Sequence, residues 1–228
     1  PHENIQFLLV LTCILKAVDI HADLLRESAA DVGNDHRLGG NEAPPAVISV
    51  FLGEQLEDVL DQLISTGMAT HSKKGSKLHT GVKTLPDFMK DATDRNRTSP
   101  FAFTGNKFEF RMLGSSNSIA CANIMLNAAV AESLKIYADR LEKAEDFETA
   151  LHEMIRKTIK DHKRIIFNGN GYDDAWIKEA TEKRGLLNYR TTADCVPHIL
   201  DQKNVDMPTA HKVFSEAELK SRCEITLD

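Results

Sequence analysis

Cysteine, aromatic residues and excess positive charge are all scarce in this 228-residue sequence. Its four cysteines are widely spread and form no C-x-x-C pair, which argues against a small secreted disulfide scaffold and predicts reduced thiols in a cytoplasmic protein. With 28 basic against 34 acidic residues, the formal net charge is −6. A chain with this balance has no overall attraction for a phosphate backbone or an anionic lipid surface. Neither nucleic acid nor a membrane is therefore an expected partner.

The sequence also lacks an apolar run long enough to span a membrane. Residues 5–18 come nearest, but Gln6, Thr12 and Lys16 interrupt them, and a bilayer span needs about 20 apolar residues. The preceding residues contain no lysine or arginine, whereas a secretory signal has a basic region before its apolar core. Residues 5–18 are instead predicted to lie in a buried helix.

The amino-acid composition is that of an ordinary globular protein, with 42% hydrophobic and 27% charged residues. This is enough apolar material for a sizeable buried core, and it excludes intrinsic disorder. The chain starts without methionine and stops within the half-apolar residues 224–228. We therefore expect it to be a piece of a longer protein, truncated at both ends.

Helical periodicity dominates the chain. Apolar residues recur at helical spacing over residues 4–30 and over residues 46–64, although a strand over the first part of the second run is an alternative. After residue 117 the chain is mainly helical. The predicted helices there are 117–141, 147–164, 174–183 and a last one opened by the capping box at 215–218. The glycine-rich residues 168–172 lack the flanking elements and the lysine of a phosphate-binding loop, so they are predicted to form a turn.

One segment shows the period of a strand. Residues 106–113 alternate apolar with charged side chains, which is typical of a half-buried strand. The apolar face consists of Phe108, Phe110 and Met112, and the charged face of Lys107, Glu109 and Arg111. A charged face is most often solvated and less often the floor of a polar active site, and composition alone does not decide between these two.

Together these elements predict an α+β fold, in which an antiparallel sheet that includes residues 108–112 is packed by helices. Residues 1–145 are expected to form one part of the chain, and residues 146–228 a mainly helical extension.

Two polar clusters carry the candidate chemistry, one at residues 34–42 and the other at residues 95–111. Their arginines can hold carboxylate or phosphate oxygens, because a guanidinium presents paired donors and stays charged. Glu109 is an oxygen ligand of the kind that Mg²⁺ or Mn²⁺ prefers, and Glu42 on a glycine-rich loop is a candidate base or lid charge. The arginines are Arg37, Arg95, Arg97 and Arg111. These patterns predict phosphoryl or carboxylate chemistry, with surface salt bridges near a loop as the alternative.

Three motifs resemble a known family. They are Asn-Asp-His-Arg-Leu-Gly-Gly-Asn-Glu-Ala-Pro-Pro at 34–45, Asp-Arg-Asn-Arg-Thr-Ser-Pro-Phe-Ala-Phe at 94–103 and Asn-Lys-Phe-Glu-Phe-Arg at 106–111. In this order and spacing they resemble the C-terminal catalytic portion of glutamine synthetase. The residues within the motifs resemble those of its long, type III branch. The resemblance implies ATP-dependent ligation of ammonia to L-glutamate through γ-glutamyl phosphate, with Mg²⁺ or Mn²⁺. It also implies a partial catalytic domain and a double-ring homo-oligomer.

The same resemblance implies roles for individual residues. Glu42 matches the loop glutamate that closes the site and helps to deprotonate ammonium, and Arg97 the arginine that stabilises the nucleotide phosphates and the transferring phosphoryl group. Arg37 and Arg111 match substrate-binding arginines. Lys107 stands where a basic residue lies near the nucleotide, and Glu109 matches a metal-binding glutamate.

Other functions stay open from the sequence alone. A catalytically silent oligomerisation or regulatory module of the same origin is the first, although Arg37, Glu42, Arg97, Glu109 and Arg111 are all retained. A guanidine or carboxylate kinase is the second, but such an enzyme has no need of the Glu-Ala-Pro loop. The family's remaining metal-binding glutamates have no counterpart in these residues, so the isolated chain is expected to be inactive.

Overall fold

The structure is a computed structural model that describes residues 2–40, 42–73, 77–78, 88–89 and 98–228. Its described helices are α1 (Ile5–Ile20), α2 (Ala22–Glu27), α3 (Val32–Arg37), α4 (Glu54–Thr66), α5 (Ala120–Leu141), α6 (Phe147–His162), α7 (Asp174–Lys178), α8 (Thr192–Cys195), α9 (Gln202–Ala210) and α10 (Glu216–Leu227). Shorter helical turns of other types cover Lys163–Ile165, Glu179–Lys183 and Val196–Leu200. The described strands are β1 (Val50–Phe51), β2 (Lys77–Leu78), β3 (Phe88–Met89), β4 (Phe101–Thr104) and β5 (Lys107–Phe110).

A three-stranded sheet, in the order β1-β4-β5, lies at the centre of the described fold. β4 and β5 form an antiparallel hairpin that pairs Ala102 with Glu109, and the glycine between them, Gly105, has a φ of +71° that suits a tight turn. β1 runs parallel to β4 and pairs Val50 with Phe101. The predicted mixed fold of helices and sheet is therefore confirmed, and β5 pairs antiparallel as expected, whereas the parallel β1 makes the sheet mixed. β2 and β3 form a separate antiparallel pair.

Two predicted helices differ from the structure. The first helix breaks at His21, whose φ of −109° and ψ of 30° are not helical, so that α1 and α2 are separate. Residues 46–52 do not begin a helix. They include β1, and Gly53 with a φ of +81° precedes the start of α4 at Glu54. Residues 46–50 are buried on all sides. The spacing of their apolar side chains therefore could not distinguish a helix from a strand.

The C-terminal helices follow their local sequence signals closely. α5 and α6 lie within the predicted ranges, and Asp146 caps α6 by accepting hydrogen bonds from the backbone of Glu148 and Thr149. Ser215 and Glu218 form the predicted capping box of α10. Gly185, just after the helical residues 174–183, has a φ of +63°, a left-handed conformation that is common where a helix ends.

Two hydrophobic clusters hold these elements together. The first joins α1, the sheet, α4 and α6, with Leu15, Phe101 and Ile155 among its buried members. The second joins α2, α5 and the helices from α8 to α10, with Met125 and Leu219 among its members. Residues on both sides of position 146 share the first cluster, and the division of the chain at 146 stays a prediction.

All four cysteines are free thiols. Among the described residues, no helix is both long enough and apolar enough to cross a membrane.

Candidate active site

The charged face of β5 is built around the carboxylate of Glu109. Its Oε1 accepts a hydrogen bond from the Thr104 hydroxyl at 3.0 Å and lies 3.0 Å from the Lys107 ammonium. Its Oε2 accepts from Nε and Nη2 of Arg111 at 3.1 and 3.0 Å. Lys107, then Thr104 and Arg111, lower the pKa of Glu109 to about 2, because each favours the ionised carboxylate. The predicted charged face is thus confirmed, and Glu109 is an anion at any physiological pH.

The opposite face of β5 anchors this cluster. Phe108 packs against Phe101 and Phe103 with ring centroids 5.5 and 5.0 Å apart, and Met112 is fully buried. Because side chains alternate along a strand, burial of these residues turns Lys107, Glu109 and Arg111 to the other face. Packing of the apolar side chains therefore determines that the charged side chains point to the opposite face of the strand.

Helix α3 brings Arg37 to the end of β5. Arg37 donates from Nη2 to the carbonyl oxygen of Met112 at 2.6 Å and from Nε to the Asn34 side-chain oxygen at 2.9 Å. The buried Asn34 also donates to the same Met112 carbonyl at 3.0 Å and to the Ala29 carbonyl at 2.8 Å. Met112 follows Arg111 directly, so two motifs that are 75 residues apart meet at one strand end.

Glu42 lies on a loop that follows α3, called here the glutamate loop and defined as residues 38–43. A backbone bridge between Leu38 and Ala43 closes its base, and Gly39, with a φ of +76°, donates to the carbonyl oxygens of Ala43 and Pro44 at 3.3 and 3.0 Å. Glu42 is exposed, and its carboxylate has no hydrogen bond or ion pair within the described part of the chain. The loop therefore presents a solvent-accessible carboxylate on a base that is closed by hydrogen bonds.

Arg97, predicted to act on the nucleotide phosphates, lies outside the described residues, and so does Arg95. The description resumes at Thr98, which is 4% exposed. The Thr98 hydroxyl accepts a hydrogen bond from the backbone N–H of Gly171 at 3.0 Å. The middle of the second motif is thus packed against the predicted glycine-rich turn, and the position of Arg97 itself stays untested.

The described residues of this chain do not by themselves fit a divalent metal ion. Within them, no group of three or more histidine, cysteine, aspartate or glutamate side chains is placed to hold one. Glu109 supplies a single carboxylate, and Lys107 and Arg111 already neutralise its charge. The metal role of Glu109 stays a prediction.

Comparison with known proteins agrees with the resemblance seen in the motifs. Residues 150–228 match the family model described as the glutamine synthetase C-terminal domain. All of the chain aligns with the type-3 glutamine synthetase of Dictyostelium discoideum at 45% identity, with the glutamine synthetase of Butyrivibrio fibrisolvens at 43%, and with that of Bacteroides fragilis at 40%. Over its full length the chain is therefore similar to part of a glutamine synthetase. It spans about a third of each relative, covering 31% of the Dictyostelium protein and 32% of each of the other two.

No pattern in the sequence predicted that the C-terminal region of the chain lies next to the glutamate loop. A cavity of about 570 Å³ lies between the two. One wall includes His36, Gly39 and Pro45, and the other includes Tyr172 and Arg190.

Sequence reasoning also missed three residues that support the site. Asn34 and Asp35 stand inside the first motif, but nothing in their spacing showed which groups they bind. Arg26 carried no signal at all, because it belongs to none of the motifs and stands next to Glu27 on a short helix, and the structure shows it almost completely buried, at 1% exposure.

Proposed function

We propose that the chain forms part of the active site of a glutamine synthetase, which ligates ammonia to L-glutamate at the expense of ATP. The observation that carries the proposal is the hydrogen bond from Arg37 to the main-chain carbonyl of Met112, the residue after Arg111. This bond brings an arginine of the first motif to the end of the strand segment that carries Arg111 of the third motif. Paired guanidinium donors are suited to bind the carboxylates of glutamate.

The chemistry has two steps. First, the γ-carboxylate of glutamate attacks the γ-phosphorus of ATP, so that γ-glutamyl phosphate forms and ADP leaves. Lys107 and Arg97 are proposed to hold the phosphate oxygens, where fixed positive charge stabilises the transfer. Second, ammonia attacks the acyl carbon and phosphate leaves, which yields glutamine.

Glu42 is proposed to supply the base for the second step. Ammonium has no free electron pair, so it must lose a proton before it can attack. An exposed carboxylate on a closed loop can accept that proton while the loop covers the intermediate. Mg²⁺ or Mn²⁺, when bound in the complete site, would neutralise charge on the phosphate oxygens.

The family resemblance also favours a double-ring homo-oligomer and a cytoplasmic location, and both are proposals for the whole protein. The competing proposal is a catalytically silent module of the same family. The two differ in whether any ATP-dependent formation of glutamine takes place.

The test uses the longest natural polypeptide that contains residues 1–228, assayed for ADP and glutamine with ammonia. We expect ATP-dependent glutamine formation, and we expect Glu42→Gln to lower the ammonia-dependent rate by about 100-fold or more, because a positioned base contributes this much. Glu153→Gln, which removes an exposed carboxylate on α6, is the matched control and should keep full activity. A wild-type protein without turnover would contradict the proposal and favour the silent module.

A further inference from the structure

A buried arginine joins the C-terminal region to the helix that precedes the glutamate loop. The guanidinium of Arg26 on α2 donates from Nε to the carbonyl oxygen of Tyr189 at 2.8 Å and from Nη2 to Oδ1 of Asp35 at 2.6 Å. A longer bond of 3.3 Å runs from Nη2 to the carbonyl oxygen of Arg190. A charge buried this deeply is stabilised only by such partners, so the contacts fix where the guanidinium can lie.

Asp35 lies on α3, so its bond to Arg26 connects that helix to α2. Its second carboxylate oxygen, Oδ2, accepts a hydrogen bond from the backbone N–H of Thr192 at 2.6 Å. Asp35 therefore binds Arg26 with one oxygen and the C-terminal region with the other. The Asp35 side chain is only 14% exposed, so water competes weakly for these bonds.

Helix α3 is thus held from two sides. On one side Asn34 and Arg37 bind the Met112 carbonyl at the end of β5, and on the other side Asp35 binds Arg26 and Thr192. The glutamate loop begins at the residue after this helix. Any displacement of α3 would move the base of the loop that carries Glu42.

The C-terminal partner of this link is itself well fixed. The Tyr189 ring stacks on His198 with centroids 4.5 Å apart, and His198 binds Asp201 at 2.7 Å. Thr191 and Asp194 form a capping box at the start of α8, and Thr192 is the first residue of that helix. Residues 189–192 therefore form a rigid support for α3.

We propose that Arg26 is a positioning residue, which together with Asp35 couples residues 189–192 to α3 and so fixes the base of the glutamate loop. Its effect on catalysis rests on the proposed function, but the coupling itself does not. A residue that only contributed to overall stability would, when altered, affect all parts of the fold alike. A positioning residue affects the glutamate loop first.

The sharpest variant is Thr192→Pro, because proline removes the backbone N–H that binds Oδ2 of Asp35. Proline is favoured at the first position of a helix, and the extended conformation of Thr191, with a φ of −116° and a ψ of 157°, suits the residue before a proline. Glu216→Pro makes the same change at the first position of α10, where no carboxylate of α3 is bound, and is the matched control. Arg26→Met removes the guanidinium bonds to Asp35, Tyr189 and Arg190 and leaves the bond between Thr192 and Asp35 in place.

The readout is amide hydrogen exchange in the 228-residue chain, at the protected N–H groups of Leu38, Gly39 and Gly40. In Thr192→Pro we expect these amides to exchange about tenfold faster, since a hydrogen bond to a charged group is lost, while α5 is unchanged. Arg26→Met should accelerate the same amides at least as much. Unchanged exchange at these amides in Thr192→Pro, or an equal rise in Glu216→Pro, would overturn the proposal. If Arg26→Met fails to fold, Thr192→Pro alone decides.

A second readout separates positioning from the reaction itself. In the longest natural polypeptide that contains the chain, Thr192→Pro should lower kcat for glutamine formation about tenfold and leave the KM for ATP within about twofold, because misplacing a base weakens the step that needs it. A wild-type protein without activity would refute the proposed function and leave the exchange result to judge the coupling. An active Thr192→Pro variant with faster exchange and unchanged kcat would refute the effect on catalysis.

Discussion

Glu109 shows how strongly one residue can be set by its immediate neighbours. Its carboxylate receives an ammonium, a hydroxyl and a guanidinium, and all three favour the ionised form. The pKa in the folded state, about 2, lies below the ordinary value of 4.5. The unfolded chain therefore binds a proton at a higher pH than the folded chain does. The resulting contribution to stability is present above about pH 4.5 and is lost as the pH falls through about 2.

Lys107→Met tests which neighbour matters most. Because Lys107 makes the largest contribution, this change should raise the pKa of Glu109 from about 2 towards 4.5. The free energy of unfolding at pH 7 should fall by less than about 1 kcal/mol, since the lysine side chain is 67% exposed and solvent screens the pair. An NMR titration of the Glu109 carboxyl carbon measures the first effect, and urea unfolding the second.

Two control variants distinguish the effect of the Lys107 charge on the pKa of Glu109 from the effects of other groups. Lys135→Met removes one positive charge on α5, far from Glu109 in sequence, and should leave the Glu109 titration unchanged. Thr104→Val removes the hydroxyl donor and should raise the pKa of Glu109 by a smaller amount than Lys107→Met does. A titration of Glu109 that stays near pH 2 in Lys107→Met would show that Arg111 and Thr104 suffice.

At the scale of elements, the turn at residues 168–172 joins three separate parts of the fold. Oδ1 of Asn168 accepts from the backbone N–H groups of Leu52 and Gly53 at 3.0 and 2.9 Å, next to the end of β1. Gly171 lies directly against Thr98, and a Cβ atom there would overlap the main-chain carbonyl oxygen of Thr98. The glycine is therefore required by close approach and not by an unusual backbone angle.

Gly171→Ala should push Thr98 away from the turn and lower the free energy of unfolding by about 1–3 kcal/mol, which is typical of an overpacked site. Urea denaturation measures the loss, and the amide signals of Thr98 and Ser99 should shift. Gly105→Ala, at an open position where only the positive φ is strained, is the comparison and should leave those signals in place. Identical spectra for Gly171→Ala and the wild type around Thr98 would contradict the predicted contact.

Elements with strong local signals were predictable from the sequence, and those whose form depends on burial were not. The alternation of charge in β5 and the capping box of α10 are local, and both appear in the structure. Residues 46–52 are buried almost throughout, so it is pairing with β4 and with Ile166, both distant in sequence, that makes part of them a strand. The candidate site shows the same contrast between local and long-range features. The grouping of Lys107, Glu109 and Arg111 follows from alternation, whereas the bond from Arg26 to Tyr189 joins residues 163 positions apart.

At the scale of the whole molecule, Glu27 lies where the C-terminal helices dock. It is 8% exposed, and its Oε2 has no hydrogen-bond partner in the described part of the chain. Among the described residues, the titratable groups on other helices that interact with it lie on three helices, and Arg222 is the cation among them. They are Arg222 and Cys223 on α10, Cys121 on α5 and Cys195 on α8.

Burial raises the pKa of Glu27 to about 7, although Arg222 acts in the opposite direction. Below pH 4.5 the carboxyl is mainly protonated in both the folded and the unfolded chain, and its ionisation does not lower the stability. As the pH rises from 4.5 to 7 the unfolded chain loses its proton while the folded chain retains it. The stability of the folded chain therefore falls over this window and stays lower above it.

Glu27→Gln should remove this dependence, because the amide does not ionise. Relative to the wild type, we expect the variant to gain about 1–3 kcal/mol in the free energy of unfolding between pH 4.5 and pH 8, measured by urea denaturation at both pH values. Glu153→Gln is the matched control for the loss of one negative charge at an exposed site. If Glu27→Gln and the wild type keep a constant difference from pH 4.5 to 8, Glu27 does not titrate in this window. If the free energy of unfolding falls between pH 4.5 and pH 8 in the wild type but not in Glu27→Gln, ionisation of this one buried carboxyl weakens the docking of the C-terminal helices at neutral pH.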